Sequence, residues 1–463
     1  MQRIASPLYP LSLALALTAC PADSKPDDKA APRTDDKANA KADPKVDRKA
    51  DAKPDPRADA KTDTDPNAER KPVDTEPATP AVIDPATRNA VAASINAFAV
   101  DLHHALASKP GNLFVSPASI AIAFAMTHAG AKGDTAAELA KVFHFGAGAD
   151  LHAGMGAMLA HWDAASTDGP ELEVANRLYG DKTVAFEPAF LDVTGKAFHA
   201  PLESVDFIGA AEAARQDING WVATRTHDKI KDLLPEGGVA SSTRMVLVNA
   251  VYFKGRWDQP FEEFATTDGT FHGGKGDAQV KMMKQVDHFR LGAASEAKAR
   301  VLVMGYFGSY SMVVVLPDAK DGLAAVESAL TPELLTAWIG AAKAERVELA
   351  LPKFRIEPAG SLSLRPVLEG LGLHTAFDAS KADFTGMAPA SAQLMISDAY
   401  HKAFVDVNEA GTEAAAATAV AMAAGAAPPS EPPVAFVADH PFLFFIRDDE
   451  SGAILFMGRL VDP

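Results

Sequence analysis

With 463 residues, 48% of them hydrophobic, the chain can bury a sizeable core. Its formal net charge of −17 excludes a nucleic-acid surface, which needs a basic face. A single cysteine, Cys20, excludes an intrachain disulfide, so packing alone must hold the fold.

The N-terminus reads as a targeting signal. Arg3 supplies a short positive region, residues 8–17 are mostly apolar, and Leu17-Thr18-Ala19-Cys20 follows. Small residues before a cysteine, after an apolar run too short to span a bilayer, match a bacterial lipoprotein signal. The expected product begins at Cys20, carries lipid on its sulfur, and sits at the bacterial cell envelope or surface. An ordinary secretory signal cut nearby, giving a secreted protein, is the alternative.

Residues 21–80 repeat short Ala-Asp-Pro-Lys and Ala-Asp-Ala-Lys units with nearly balanced charge and no aromatic residue. Such a segment cannot bury enough surface to fold and is expected to be a disordered tether. Its reach would be on the order of 40–50 Å. Asp63, Asp65 and Asn67 resemble the start of a calcium loop, but Ala68 stands where glycine is needed, so no metal site is expected there.

From about residue 81 the pattern becomes globular. Ile95, Phe98, Leu102 and Leu106 predict a helix over residues 90–106. Ser116-Pro117 opens a second helix, with proline in its first turn. Asp134 is the expected cap of a third, with Leu139 and Phe143 on its inner face. Residues 171–179 read as a strand and residues 218–230 as an amphipathic helix. Residues 245–253 are too continuously apolar to have a wet face, which predicts a central strand. Residues 301–307 and 311–316 predict a hairpin around Gly308-Ser309. Further strands are expected over 345–356, 394–407, 442–447 and 453–461. Helices gather early and strands late, which predicts one mixed α+β domain over residues 81–463.

Residues 409–433 interrupt that pattern. Their alanines favour helix by propensity. Yet the stretch has almost no large side chain, starts near Gly411 and ends in paired prolines. It lies between two β-patterned segments, where a surface loop able to become a strand would lie.

No catalytic constellation emerges. Gly-x-Ser-x-Gly is absent, and Gly273-Gly274-Lys275-Gly276 lacks the Gly-Lys-Ser/Thr of a phosphate loop. The 13 histidines form no His-Glu-x-x-His, and His103 and His104 are expected near a surface on different helix sides. No enzyme, metal or cofactor is expected.

Several segments resemble serpin motifs. They are Asn112 to Ile120, Val248 to Trp257, Leu351-Pro352-Lys353-Phe354, His440 to Ile446 and the terminal Leu455 to Pro463. They occur in the family's order from about residue 88 to 463. The resemblance implies a serpin fold, α+β, with about nine helices and three β-sheets. A reactive loop, residues 409–433, would stand above a five-stranded main sheet. It implies no enzyme but a suicide-type inhibitor. A target serine protease cuts the loop and forms an acyl-enzyme; the loop then inserts as a strand and traps the protease in a covalent complex. The inhibitor is expected to act as a monomer. A non-inhibitory serpin-fold binding protein, or an inhibitor of cysteine proteases, are the alternatives.

The resemblance assigns roles residue by residue. Glu409, Ala410, Gly411, Thr412, Glu413, Ala414, Ala415, Ala416 and Ala417 match the hinge. Ser116, Ser119, Asn249 and His401 match the polar cluster beneath the main sheet. Trp257, Lys353 and Glu409 match its upper opening, where Lys353 and Glu409 could form an ion pair. By period 2 the inward set would be Thr412, Ala414, Ala416, Thr418, Val420 and Met422, all uncharged, while Glu413 can stay in solvent. About a dozen new strand residues could release on the order of 10 kcal/mol. Proline would stop insertion, and none occurs before Pro428.

Counting from Glu409 places the reactive bond between Gly425 and Ala426, with Ala423, Ala424 and Ala427 as alternatives. No Lys or Arg occurs between Lys402 and Arg447. A trypsin-like target is therefore disfavoured, and an elastase-like or subtilisin-like one fits better. No basic cluster on the early helices supports a heparin site.

Overall fold

The computed structural model describes residues 84–146, 151–165, 171–413 and 431–463. The chain opens with α1 (Pro85–Ala107), β1 (Leu113–Val115), α2 (Pro117–Gly130), α3 (Gly133–Val142) and α4 (Leu151–Ala165). There follow β2 (Glu171–Asp181), α5 (Pro188–Ala197), β3 (Leu202–Val205), α6 (Phe207–Arg225) and β4 (Met245–Arg256). A β-rich stretch comes next, with β5 (Thr267–Gly273), β6 (Gly276–Ala294), β7 (Ala299–Tyr306) and β8 (Tyr310–Pro317). Then come α7 (Leu323–Ala329), α8 (Pro332–Ala341), β9 (Lys343–Pro352), β10 (Phe354–Ile356), β11 (Leu362–Ser363) and α9 (Arg365–Leu371). The chain ends with β12 (Tyr400–His401), β13 (Val405–Asn408), β14 (Gly411–Thr412), β15 (Val434–Val437), β16 (Phe442–Asp448) and β17 (Ile454–Leu460).

Nine α-helices and three sheets are present among the described residues, as the α+β reading requires. One sheet runs β1-β17-β16-β8-β7-β6-β9-β15, with β5 paired to β6. The main sheet for function runs β10-β13-β14-β4-β2-β3. It holds six strands rather than five, because the two hinge residues of β14 already pair within it.

Local chemistry sets the helix starts. Asp84 caps α1 by accepting from the Thr87 amide at 3.1 Å, and Pro85 follows at the first helical position. Ile95, Phe98, Leu102 and Leu106 form its buried face. Ser116 caps α2 through the Ser119 amide at 3.2 Å. That helix is apolar nearly all round because it lies between the two large sheets, touching both β17 and β4. Each large side chain buried there contributes about 2 kcal/mol.

Four sequence expectations need correction. Lys132, not Asp134, occupies the N-cap of α3; Asp134 instead sits in the first turn, where its charge favours the helix dipole. The helix expected over 218–230 is α6, which starts at Phe207 because Asp206 caps it through the Gly209 amide. The strand expected over 394–407 reduces to β12 and β13. The strand expected over 345–356 breaks at Lys353, and its two parts join different sheets.

His103 corrects the surface expectation for the histidine pair: His104 is exposed, but His103 is fully buried. Its Nε2 donates to Glu327 Oε1 at 3.0 Å, and Arg459 Nη1 donates to the same oxygen at 2.9 Å. Arg459 also caps the end of α1 by donating to the Ala107, Lys109 and Gly111 carbonyls. A buried carboxylate is tolerable here because two donors share it. Removing one partner of such a network costs about 3–5 kcal/mol. Arg459→Met is therefore expected to lower the unfolding free energy by about that amount in urea titration.

Candidate functional site

The site grows from a four-residue reversal. β13 ends at Asn408, the chain turns through Glu409 and Ala410, and β14 runs back beside it, pairing Val407 with Thr412 and Asn408 with Gly411. The other edge of β14 pairs with β4, Gly411 opposite Arg256 and Thr412 opposite Gly255. Two residues of the loop thus lie inside the sheet, bonded on both sides.

The turn is fixed by backbone contacts. Asn408 Oδ1 accepts from the Ala410 amide at 3.0 Å. The Trp257 amide donates to the Ala410 carbonyl and the Phe261 amide to the Glu409 carbonyl, each at 2.9 Å. The Trp257 indole donates to the Asn408 carbonyl at 3.0 Å and stacks on Tyr306, ring centres 4.4 Å apart. Gly411 has φ +153° and sits so close to β4 that a Cβ would fall 1.9 Å from the Gly255 carbonyl oxygen. Only glycine passes there.

Charge flanks the turn. Lys353 Nζ lies 2.7 Å from Glu409 Oε2, and the Thr266 hydroxyl donates to Glu409 Oε1 at 2.9 Å. Burial pushes the Glu409 carboxyl up, but the Lys353 ammonium and the Thr266 hydroxyl outweigh it and hold it below the usual carboxylate range. Thr412 points inward and is buried, and its hydroxyl shares a 2.7 Å hydrogen bond with Tyr306. Burial pushes the Tyr306 hydroxyl up, so it stays protonated as a partner for Thr412.

Glu413 departs from expectation. Its side chain is 3% exposed rather than in solvent, and its Oε1 lies 2.5 Å from Lys229 Nζ. The outer face of the main sheet is not wholly open to water. It is roofed by α6 and the segment after it, where Phe207, Ile218, Val222, Ile230, Leu233 and Leu234 pack against Tyr179 and Val248.

Below β14 the sheet opens. Among the described residues, β4 has no strand partner on that edge from Met245 to Lys254. A cavity of about 100 Å³ lies there, lined by Ser119, Asn249, His401 and the segment before His401. The Ser116 amide donates to His401 Nε2 at 3.0 Å, and the Ser116 hydroxyl donates to the Leu455 carbonyl at 2.7 Å. Ser116, Ser119 and His401 are therefore bonded in sequence through the α2 cap. Asn249 faces the same cavity, but its amide donates across the sheet to Asn176 Oδ1 at 2.6 Å, leaving its own buried oxygen without a partner among the described residues. Asn176 was missed in the sequence. Its signal was its register, directly opposite Asn249. Lys229 and Tyr306 were also missed, because only the fold brings them to the hinge.

Ala414, Ala415, Ala416 and Ala417, the reactive bond at Gly425 and Ala426, the alternatives Ala423, Ala424 and Ala427, and Cys20 lie outside the described residues. Among the described residues, no three His, Cys, Asp or Glu side chains converge as metal ligands.

The family model for serpins (serine protease inhibitors) matches residues 93–463. The chain belongs to the serpin family. This serpin is 45% identical over 380 residues to leukocyte elastase inhibitor A of Rattus norvegicus, covering 79% of this chain and 97% of the relative. It is 42% identical over 359 residues to serpin B6 of Macaca fascicularis, covering 76% and 93%. Among solved structures it resembles uncleaved ovalbumin, with TM-score 0.72 and 30% identity over 81% of this chain and all of that one. It matches a loop-inserted, cleaved ovalbumin mutant almost equally, with TM-score 0.71, 30% identity and the same coverage.

His401 gives this serpin a pH signature. Because Nε2 accepts the Ser116 amide, the neutral ring carries its proton on Nδ1. Burial lowers the His401 pKa to about 4. The folded state therefore binds fewer protons than the unfolded chain between about pH 6.5 and 4, so its contribution is full above that window and lost as pH falls through it. His401→Gln is expected to flatten the decline of thermal stability in that window by up to about one proton. Equal slopes for both proteins would refute the assignment.

Proposed function

We propose that this serpin inhibits serine proteases by inserting its cleaved loop into the main sheet. The observation that carries the reading is the placement of Gly411 and Thr412. They are paired on both edges between β13 and β4, directly above the stretch of β4 that has no strand partner on that edge among the described residues. Each further residue that follows them finds a row of waiting donors and acceptors. The kinship with leukocyte elastase inhibitors agrees with the small residues of 423–427 and favours an elastase-like or subtilisin-like target.

In this reading a protease serine attacks the carbonyl of Gly425, or of a neighbour within 423–427, and the chain beginning at Ala426 leaves as an amine. An ester joins inhibitor and enzyme. Residues 409–417 act as the hinge. Trp257, Lys353 and Glu409 form the opening, and Ser116, Ser119, Asn249 and His401 form the cluster that must part. Insertion competes with hydrolysis of the ester, so small uncharged inward residues favour trapping.

Incubation with an elastase-like and a subtilisin-like protease should give an SDS-stable covalent complex. Cleavage that leaves full protease activity would sink the reading. Thr412→Arg should form far less of such a complex and be consumed mainly as a substrate. The stoichiometry of inhibition should rise on the order of tenfold or more, since an unpaired buried charge costs several kcal/mol and about 1.4 kcal/mol is tenfold.

The proposal extends to the N-terminus. Residues 1–20 would be the lipoprotein signal, Cys20 the lipidated residue, 21–80 the tether and 81–463 the inhibitory domain, held at a bacterial envelope. Cys20→Ala should move the protein from the membrane fraction to the soluble fraction; unchanged partition would refute the anchor.

A further inference from the structure

The ion pair between Lys229 and Glu413 has no counterpart in the cluster of roles described so far. Lys229 sits just beyond α6, on a tight loop. Thr226 shapes that loop: its hydroxyl donates to the Val222 carbonyl at 2.8 Å and accepts from the Ile230 amide at 3.1 Å. The Lys229 amide donates to the Thr226 carbonyl at 2.8 Å, and the preceding His227 and Asp228 both have positive φ. The ammonium also lies over the Phe404 ring, 5.1 Å from its centre. Lys229 is thus presented by a rigid loop over the outer face of the main sheet.

Glu413 directly follows the two residues of β14. Its amide already donates to the Asp406 carbonyl at 2.8 Å, the next rung after the Val407–Thr412 pair. Yet its φ is +54°, a left-handed conformation that a glutamate adopts only under constraint. A strand residue needs φ near −140°. For Ala414 to reach β4, Glu413 must swing out of the left-handed region, and its carboxylate must leave Lys229. Continued pairing would set it between Asp406 and Lys254, the residues next in register, and Lys254 is already engaged by Glu171 at 3.2 Å. The pair with Lys229 is close but poorly aligned, since neither Glu413 oxygen has a hydrogen-bond donor in good geometry. It is a charge contact under a roof, and breaking it strands a buried carboxylate until the chain has moved.

We infer that Lys229 is a positioning residue that parks the reactive loop at two inserted residues, and that its ion pair with Glu413 must open before residue 414 can enter the sheet. The inference rests on the inhibitory reading above. It makes the loop after α6 a brake on insertion, acting through Glu413 rather than on the protease.

Two measurements separate this proposal from that reading. In the intact protein, K229A should speed hydrogen exchange in a peptide covering residues 409–413 on the order of tenfold, while K229R keeps the slow rate. Unchanged exchange in K229A would overturn the clamp, and this measurement needs no protease. Against an elastase-like enzyme, K229A and E413Q should each speed formation of the covalent complex, and the double variant should be no faster than either. A slower or unchanged rate in K229A, or fully additive effects in the double variant, would also overturn it. A wild-type protein that forms no complex at all would refute the inhibitory reading alone, and the exchange result would then decide the clamp.

Discussion

Backbone amides and carbonyls in a sheet must be paired, and among the described residues β4 carries a row of them with no strand beside it below Gly255. That open edge is the constraint around which the rest of the domain is arranged. Beneath it lies α2, whose capping serine reaches His401. Above it lie α6 and the loop that follows. Opposite it stand β12 and the segment leading into it. At its upper end two residues of the reactive loop fill the first two places. On the inhibitory reading proposed above, filling the remaining places would complete the pairing of this edge.

The polar groups around this edge follow one rule: charges are buried only with a partner. Glu409 has Lys353 and Thr266, Glu413 has Lys229, and Glu327 has His103 and Arg459. The first two pairs border β14 and the third lies in the core. The difference shows in geometry. Arg459 has four acceptors and His103 is wholly enclosed, whereas Lys229 is about a third exposed and poorly aligned with its carboxylate. The Lys229 contact is the weaker of the two, yet opening it still leaves the Glu413 carboxylate without its partner.

Much of this was legible in the residues. Ser116-Pro117 announced the start of α2, Gly308 the hairpin between β7 and β8, and the unbroken apolar run from Met245 a strand paired on both sides at its upper end. The small residues after Glu409 pointed to a segment able to enter a sheet. What escaped was whatever depended on a distant partner. A charge suggested solvent for Glu413, because nothing local tells of a lysine on a loop far upstream. His103 looked like half of a surface pair, because its carboxylate and guanidinium partners come from α7 and β17. Asn176 was silent until the register of β2 and β4 was known. Local chemistry sets where elements begin; the polar contacts that join them need the fold.

Lys353 has a consequence for how the loop is mounted. It is the single residue between β9 and β10, so it ends a strand of one sheet and begins a strand of the other. Through Glu409 it also holds the near foot of the loop, while the far foot, β15, is paired to β9 from Val347 to Ala350. Both feet therefore stand on one strand, Val347 and Lys353 being roughly 20 Å apart along it. Residues 414–433 could span about three times that distance if fully extended. On the inhibitory reading proposed above, a cut would free one end of residues 414–433 while leaving the other foot in place, so proteolysis would be a topological permission as much as a chemical event.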